Sequence, residues 1–252
     1  MRRGGVVAAP VALALAVMAL SGCATTDEYR VMGGQAHLDC QGDGTTTVVL
    51  MAGMGDDSTA WEPFRETLGT QVRTCAWDYP GVGESTGAAP MTAGVASASL
   101  NATLAAAGID DPVVLVGHSI AGLTVRLFVG RHPDAVAGVV LFDLTVSSFA
   151  HRYDFSEFQP EWDGAVSSRE VDTVTAWPDI PFEILRHDSS VYFDQEMWDA
   201  EVEDAWIAGQ DDFAGLAPNG TVTEVPGAGH YVHSDQPEVA ADAVLRVLGQ
   251  VE

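Results

Sequence analysis

No lysine occurs in this sequence. All 11 basic residues are arginine, they stand against 36 aspartates and glutamates, and the formal net charge is −25 at pH 7. So acidic a surface repels phosphate backbones and anionic lipid headgroups, which argues against nucleic-acid binding; what it steers inward is neutral or cationic small molecules. Cysteine is scarce too, with 3 in 252 residues. Neither Cys40 nor Cys75 belongs to a partner pattern that suggests a metal site, and neither metal nor cofactor is expected. Internal repeats are absent, and no low-complexity tract occurs beyond the first two dozen residues. What is there, 47% hydrophobic residues at a mean hydropathy of +0.11, suffices for one globular domain with a single well-packed core.

The first 23 residues differ from the rest. Arg2 and Arg3 precede an apolar stretch from Val6 to Leu20, which ends in Leu20-Ser21-Gly22-Cys23. A charged start, a short apolar centre and small residues at the end have the layout of a secretory signal. The apolar part is shorter than the ~20 residues that a membrane-spanning helix needs. Its last four residues resemble the lipobox of bacterial lipoproteins. That resemblance implies a signal peptide over residues 1–22, lipidation of Cys23 as the mature N-terminus, a tether over 23–30 and a folded domain over 31–252. The protein would then be exported and held on the outer face of the cell membrane by its lipid anchor alone.

Two cysteines remain, Cys40 and Cys75, one just before a predicted strand and one at the start of the next. An oxidising compartment allows them to bridge. If their strands are sheet neighbours, the disulfide would close a loop worth on the order of 3 kcal/mol in the chain-entropy model. The alternative is two small buried thiols.

From residue 45 onward, short valine-rich runs alternate with longer alanine-rich segments of helical spacing. This is the pattern of a mostly parallel sheet covered by helices on both faces. Strands are predicted at Thr46–Ala52, Thr74–Asp78, Val113–Val116, Val139–Asp143, Phe182–Arg186 and Val222–Val225, with an edge strand over Tyr29–Leu38. Helices are predicted at Thr59–Gly69, Thr92–Ala107, Ala121–Gly130, Met197–Leu216 and Pro237–Leu248. The rhythm breaks over residues 145–180, where Phe149, Tyr153, Phe155, Phe158, Trp162 and Trp177 occur among many acids. An aromatic insertion between strands is either a cap or lid over a pocket or an ordinary helical cover.

The motif with most chemistry is Val113-Val-Leu-Val-Gly-His-Ser-Ile-Ala-Gly122, an apolar strand running into Gly117-His118-Ser119-Ile120-Ala121 and then a helix. A serine between small residues at a strand-to-helix turn is a nucleophile elbow, strained and with its hydroxyl exposed. The last position of the G-x-S-x-G pattern is alanine here. Three further stretches follow in order. Ala52-Gly53-Met54-Gly55 stands after the first core strand. Asp78-Tyr79-Pro80-Gly81-Val82-Gly83-Glu84-Ser85 follows the next, and Pro226-Gly227-Ala228-Gly229-His230 precedes the last helix. Together they resemble the α/β-hydrolase superfamily over roughly residues 36 to 250, with Ala52 to Gly55 where many members have His-Gly-x-Gly. The resemblance implies the α/β-hydrolase fold and a serine hydrolase.

The roles follow from what acyl transfer requires. Ser119 is the candidate nucleophile and His230, on a glycine-rich loop, its general base. The backbone N–H groups of Met54 and Ile120 are the candidate oxyanion hole. For the carboxylate that orients the histidine, Asp143 at the end of the strand after the nucleophile helix competes with Asp188 at the end of the following strand. Spacing favours Asp143, and Asp194 ranks third. His118 should point away from the nucleophile and is read as packing or support. His233 makes a metal pair with His230 only if the two are helical, and no third ligand is spaced nearby. His37, His132, His151 and His187 have no motif context, and ordinary surface or pocket-lining roles are their default reading. Phe128, Trp61 and the aromatic insertion are candidates for an apolar acyl pocket, although most such residues are simply core. The expected activity is hydrolysis of a small or medium apolar carboxylic ester through an acyl-enzyme; the alternative is a catalytically silent scaffold that binds ligands at the cell surface.

Overall fold

The alternation of apolar residues along each central strand decides how the sheet is buried. The structure is a computed structural model that describes residues 25–31, 34–87, 90–152, 162–191 and 198–251. The signal peptide expected over 1–22 lies outside the described residues, as do Cys23, Asp194, Tyr153, Phe155 and Phe158. Eight strands form one sheet: β1 Thr25–Val31, β2 Gly34–Gln41, β3 Thr47–Met51, β4 Arg73–Trp77, β5 Val113–His118, β6 Val136–Phe142, β7 Phe182–Arg186 and β8 Thr221–Glu224. Their spatial order is β1-β2-β4-β3-β5-β6-β7-β8. The pairings from β4 to β8 are parallel, whereas β1–β2 and β2–β4 are antiparallel. The expected mostly parallel α/β-hydrolase sheet is present.

Strands β3 and β5 are buried along their whole length. Val49, Met51, Leu115, Val139 and Leu141 enter one core, and Val48, Leu50, Val114, Val116, Val140 and Phe142 enter another on the opposite face. A period of two on strands apolar on both faces is what a sheet covered on both sides requires. The first core is covered by α2 Ala93–Ala106, α3 Ala121–Arg131, α4 Ser147–Arg152, α5 Gly164–Val171 and α6 Ala200–Ala214; the second by α1 Glu62–Leu68, the short α7 Val232–Asp235 and α8 Pro237–Val251.

Two readings of the N-terminal region are corrected. The single edge strand expected over Tyr29–Leu38 is a pair of antiparallel strands, with Thr25 opposite Cys40 and Val31 opposite Gly34. The tether expected over 23–30 is therefore strand from Thr25 onward. Polar alternation in Thr25-Thr-Asp-Glu-Tyr-Arg-Val31 suits an exposed edge, where one side of the strand meets water. The insertion at 145–180 contains α4 and α5, and its described aromatics are split. Phe149 packs on Trp198 and Trp206, Trp162 on Tyr79, and Trp177 on Phe182 and Phe213.

Cys40 and Cys75 are directly opposite on β2 and β4 and form a disulfide, with their Cα atoms 4.0 Å apart. It ties the antiparallel edge to the parallel centre. Replacing both cysteines with serine should lower the unfolding free energy by about 3 to 4 kcal/mol, the loop-closure value for a 35-residue separation. Urea unfolding monitored by tryptophan fluorescence measures it; an unchanged midpoint and slope would contradict the assignment.

Candidate active site

The parallel strands end on one edge of the sheet, where a ligand crevice is expected in an open α/β sheet. Ser119 follows β5 and Asp143 follows β6. Their backbones are the non-glycine residues with left-handed φ among the described residues, +54° and +41°. Such conformations cost of order 1–3 kcal/mol each and persist only when neighbours over-determine them. Here the neighbouring strands do so. Ser119 N–H donates to Phe142 O at 3.0 Å, Thr145 N–H to Ser119 O at 2.8 Å, and Asp143 N–H to Leu185 O at 2.8 Å. The elbow also needs close approach of strand and helix. A Cβ on Gly117 would lie 2.9 Å from the Ala121 Cβ, and one on Gly122 would lie 2.8 Å from the Leu144 Cβ. The alanine at the pattern's fifth position is thus accommodated because position 117 is glycine.

The elbow brings Ser119 Oγ to 3.0 Å from His230 Nε2, and His230 Nδ1 lies 2.6 Å from Asp143 Oδ2. An ionised carboxylate only accepts, so Nδ1–H donates to Asp143 and leaves the Nε2 lone pair toward the serine hydroxyl. His230 sits between β8 and α7 on a loop that is anchored twice. Gly229 N–H donates to the Asp235 carboxylate, and His118 Nε2–H donates to the His230 carbonyl at 3.0 Å. Support is therefore what His118 provides. Burial holds its pKa well below the ordinary histidine value.

Asp188, the alternative acid, is directed elsewhere. Its carboxylate accepts from Ser190 N–H and Oγ–H and from Gly227 N–H at 2.8 Å. It braces the base of the His230 loop, and the ring meets Asp143.

Asp143 gathers more partners than the sequence suggested. Its Oδ1 accepts from His187 Nδ1–H at 2.8 Å, Trp206 Nε1–H at 2.9 Å and Gln210 Nε2–H at 3.0 Å. Burial, complete for its side chain, pushes the carboxyl pKa up; hydrogen bonds and charge from His187 and His230 outweigh it and hold the group well below the carboxylate range. Glu203, Trp206 and Gln210 lie three and four residues apart on α6, which puts them on one face turned toward Asp143. His187 Nε2 lies 2.8 Å from Glu203 Oε1, and Glu203 Oε2 accepts from Trp198 Nε1–H at 2.6 Å. Burial pushes the His187 pKa down, but its two carboxylate partners raise it to about 9.

The reading of His187 as an ordinary surface or pocket-lining residue is thus corrected: its side chain is 1% exposed and bonded to Asp143. It had no motif, yet one signal was available. His187 ends the strand beside the one that Asp143 ends, and in parallel neighbours such positions meet. His233 stacks on Phe142, beside Trp61 and Phe64, and burial pushes its pKa down to about 4.

A cavity of about 350 Å³ opens beside Ile120, the residue after Ser119. It is lined by Gly53, Met54, Gly55, Asp56, the Tyr79–Val82 part of the Asp78–Ser85 turn, Gly87, Met91 and Trp162. Met54 and Ile120 thus border one space, and Ile120 stands at the N-cap of α3. The turn is rigidly mounted. Asp78 accepts from the Ser58 and Glu84 N–H groups, and Ser85 Oγ bridges Asp78 O and His37 N–H. Trp61 and Phe128, offered as lining, are instead core residues of the two opposite faces.

Comparison with known proteins places this architecture. Over 146 residues the chain is 30% identical to Lipase LipV of Mycobacterium tuberculosis, covering 56% of this chain and 55% of that protein. The chain spans between 14% and 55% of the length of the first curated relatives it matches. Among solved structures it is similar to a thermophilic esterase from Thermogutta terrifontis, with a TM-score of 0.66 and 19% identity over 90% of this chain and 99% of that one. Carboxylesterase CesB from Bacillus subtilis gives a TM-score of 0.65 and 17% identity over 89% and 91% of the two chains. At such identities the structural likeness speaks to the fold. A family model described as the alpha/beta hydrolase fold matches residues 46–197, and the chain belongs to that family.

Proposed function

We propose that this protein is a serine hydrolase that cleaves small or medium apolar carboxylic esters through an acyl-enzyme. The observation that carries the reading is the unbroken hydrogen-bonded line from Ser119 Oγ through His230 to Asp143, at 3.0 and 2.6 Å. In the proposed sequence His230 Nε2 takes the Ser119 proton as Oγ attacks the carbonyl carbon. The Met54 and Ile120 N–H groups receive the oxyanion, and Asp143 stabilises the imidazolium. Collapse of the tetrahedral adduct expels the alcohol, protonated by His230. Water, deprotonated by the same nitrogen, then releases the acid and restores Ser119.

Neither backbone N–H, of Met54 or of Ile120, donates to a protein acceptor among the described residues, which suits a role toward substrate. The lining favours an apolar, uncharged group: Met54, Tyr79, Val82, Met91, Ile120 and Trp162 supply its large side chains, and Asp56 is its charged member. With a net charge of −25, anionic esters are disfavoured at entry. The silent-scaffold alternative called for a buried or misaligned Ser119; the residue is 8% exposed, but its hydroxyl stands 3.0 Å from His230 Nε2, and that alignment favours the hydrolase.

Asp143→Asn should lower kcat for p-nitrophenyl butyrate by about 10³ to 10⁴, and Ser119→Ala should reduce turnover to background. Asp188→Asn should change kcat less than tenfold. Activity that survives Ser119→Ala, or an Asp188 variant more impaired than the Asp143 one, would contradict the assignment.

We further propose that Cys23 is lipidated and anchors the protein on the outer face of the membrane; the layout of residues 1–23 supports this. Mass spectrometry of the mature N-terminus should find a diacylglyceryl-modified Cys23, and an unmodified Cys23 retained within a longer chain would overturn the anchor.

A further inference from the structure

Beyond the proposed triad, the structure holds a second histidine whose two ring nitrogens both face carboxylates. His187 Nδ1 is 2.8 Å from Asp143 Oδ1 and Nε2 is 2.8 Å from Glu203 Oε1. Ionised carboxylates accept and do not donate, so both contacts are hydrogen bonds only when each nitrogen carries a proton. The side chain is 1% exposed and its partners 0% and 14%, so solvent screens this arrangement little. The other oxygen of Glu203 is occupied by Trp198 Nε1, which fixes the carboxylate toward His187.

We propose that His187 is a positioning residue whose positive charge, clamped between Asp143 and Glu203, keeps His230 in its proton-accepting form down to a lower pH than a Ser-His-Asp triad alone. The proposal rests on the hydrolase reading of Ser119, His230 and Asp143. A carboxylate that already balances one cation stabilises a second less, so the imidazolium form of His230 is disfavoured. Trp206 and Gln210, donating to the same oxygen as His187, hold Asp143 in place without adding charge.

Among the described residues, the other charged and titratable groups around the two rings do not supply this cation. His118 on β5 and His233 on α7 are held neutral by burial. Asp188, next to His187, is directed to Ser190 and Gly227. Arg186, on the other side, pairs outward with Asp211 and Glu224. Asp56, across the cavity, interacts with Tyr231.

The test combines a pH profile with a spectroscopic signature. In His187→Gln the amide keeps a donor for Asp143 without the charge, so the acid limb of kcat/KM should move up by on the order of one pH unit. Glu203→Gln should move it in the same direction to the extent that it takes the proton from His187. In histidine-¹⁵N-labelled parent protein, one ring should keep both nitrogens protonated at pH 8, and that signal should be lost in Glu203→Gln. A purely structural His187 would change kcat/KM evenly across pH and leave the limb in place. Acid limbs that coincide with the parent in both variants, or no doubly protonated ring at pH 8, would overturn the proposal. If His187→Gln does not fold, Glu203→Gln and the parent spectrum decide. The spectrum needs no substrate, so a protein that lacked hydrolase activity but kept the ring signature would refute the hydrolase reading separately from the clamp.

Discussion

A carboxylate with no exposure to water sits at the centre of this fold. An isolated ionised Asp143 in such a place would be costly by many kcal/mol, and it is tolerable only where donors replace its lost hydration. Four side-chain donors do so, from three separate parts of the chain: His187 after β7, Trp206 and Gln210 on α6, and His230 after β8. The requirement to satisfy one buried charge therefore positions a helix, a strand end and the histidine loop together. The Asp188 and Asp235 braces and the His118 contact on the His230 loop complete the same task from outside.

Backbone strain is located where this network meets the sheet. Ser119 and Asp143 adopt left-handed φ at the ends of adjacent parallel strands, and each is tied to the next strand by its own N–H. Parallel pairing of β5 with β6 and of β6 with β7 puts the ends of three strands side by side. Ser119, Asp143 and His187 are thus brought close by register, although 68 residues of sequence separate the first from the last. An enclosed network on rigid strand ends resembles preorganisation, in which dipoles and charges are set before the reacting group arrives.

Much of this was legible in the sequence, for different reasons. Strands buried on both faces announce themselves as valine-rich runs, and the elbow depends on small residues at fixed offsets, so β5, Gly117 and Ser119 could be read locally. Asp143 was favoured over Asp188 by spacing, and the geometry places it against His230. The Cys40–Cys75 bridge depended on neighbouring strands that the sequence could only suppose. What could not be read was non-local. Nothing near His187 in sequence reports that Glu203, Trp206 and Gln210 will face it, because that depends on where α6 docks. The β1–β2 pair was missed because polar alternation at a sheet edge resembles a linker. Trp61 and Phe128 were misplaced for the converse reason, since an aromatic suited to a pocket is equally suited to a core.

The central claim is that Ser119 is an activated nucleophile in a preformed site. The most direct measurement is intact-mass and peptide mapping after reaction of the full chain with a fluorophosphonate at equimolar concentration. The account predicts one phosphonyl adduct per chain, on Ser119. No adduct, or an adduct on another residue, would contradict it.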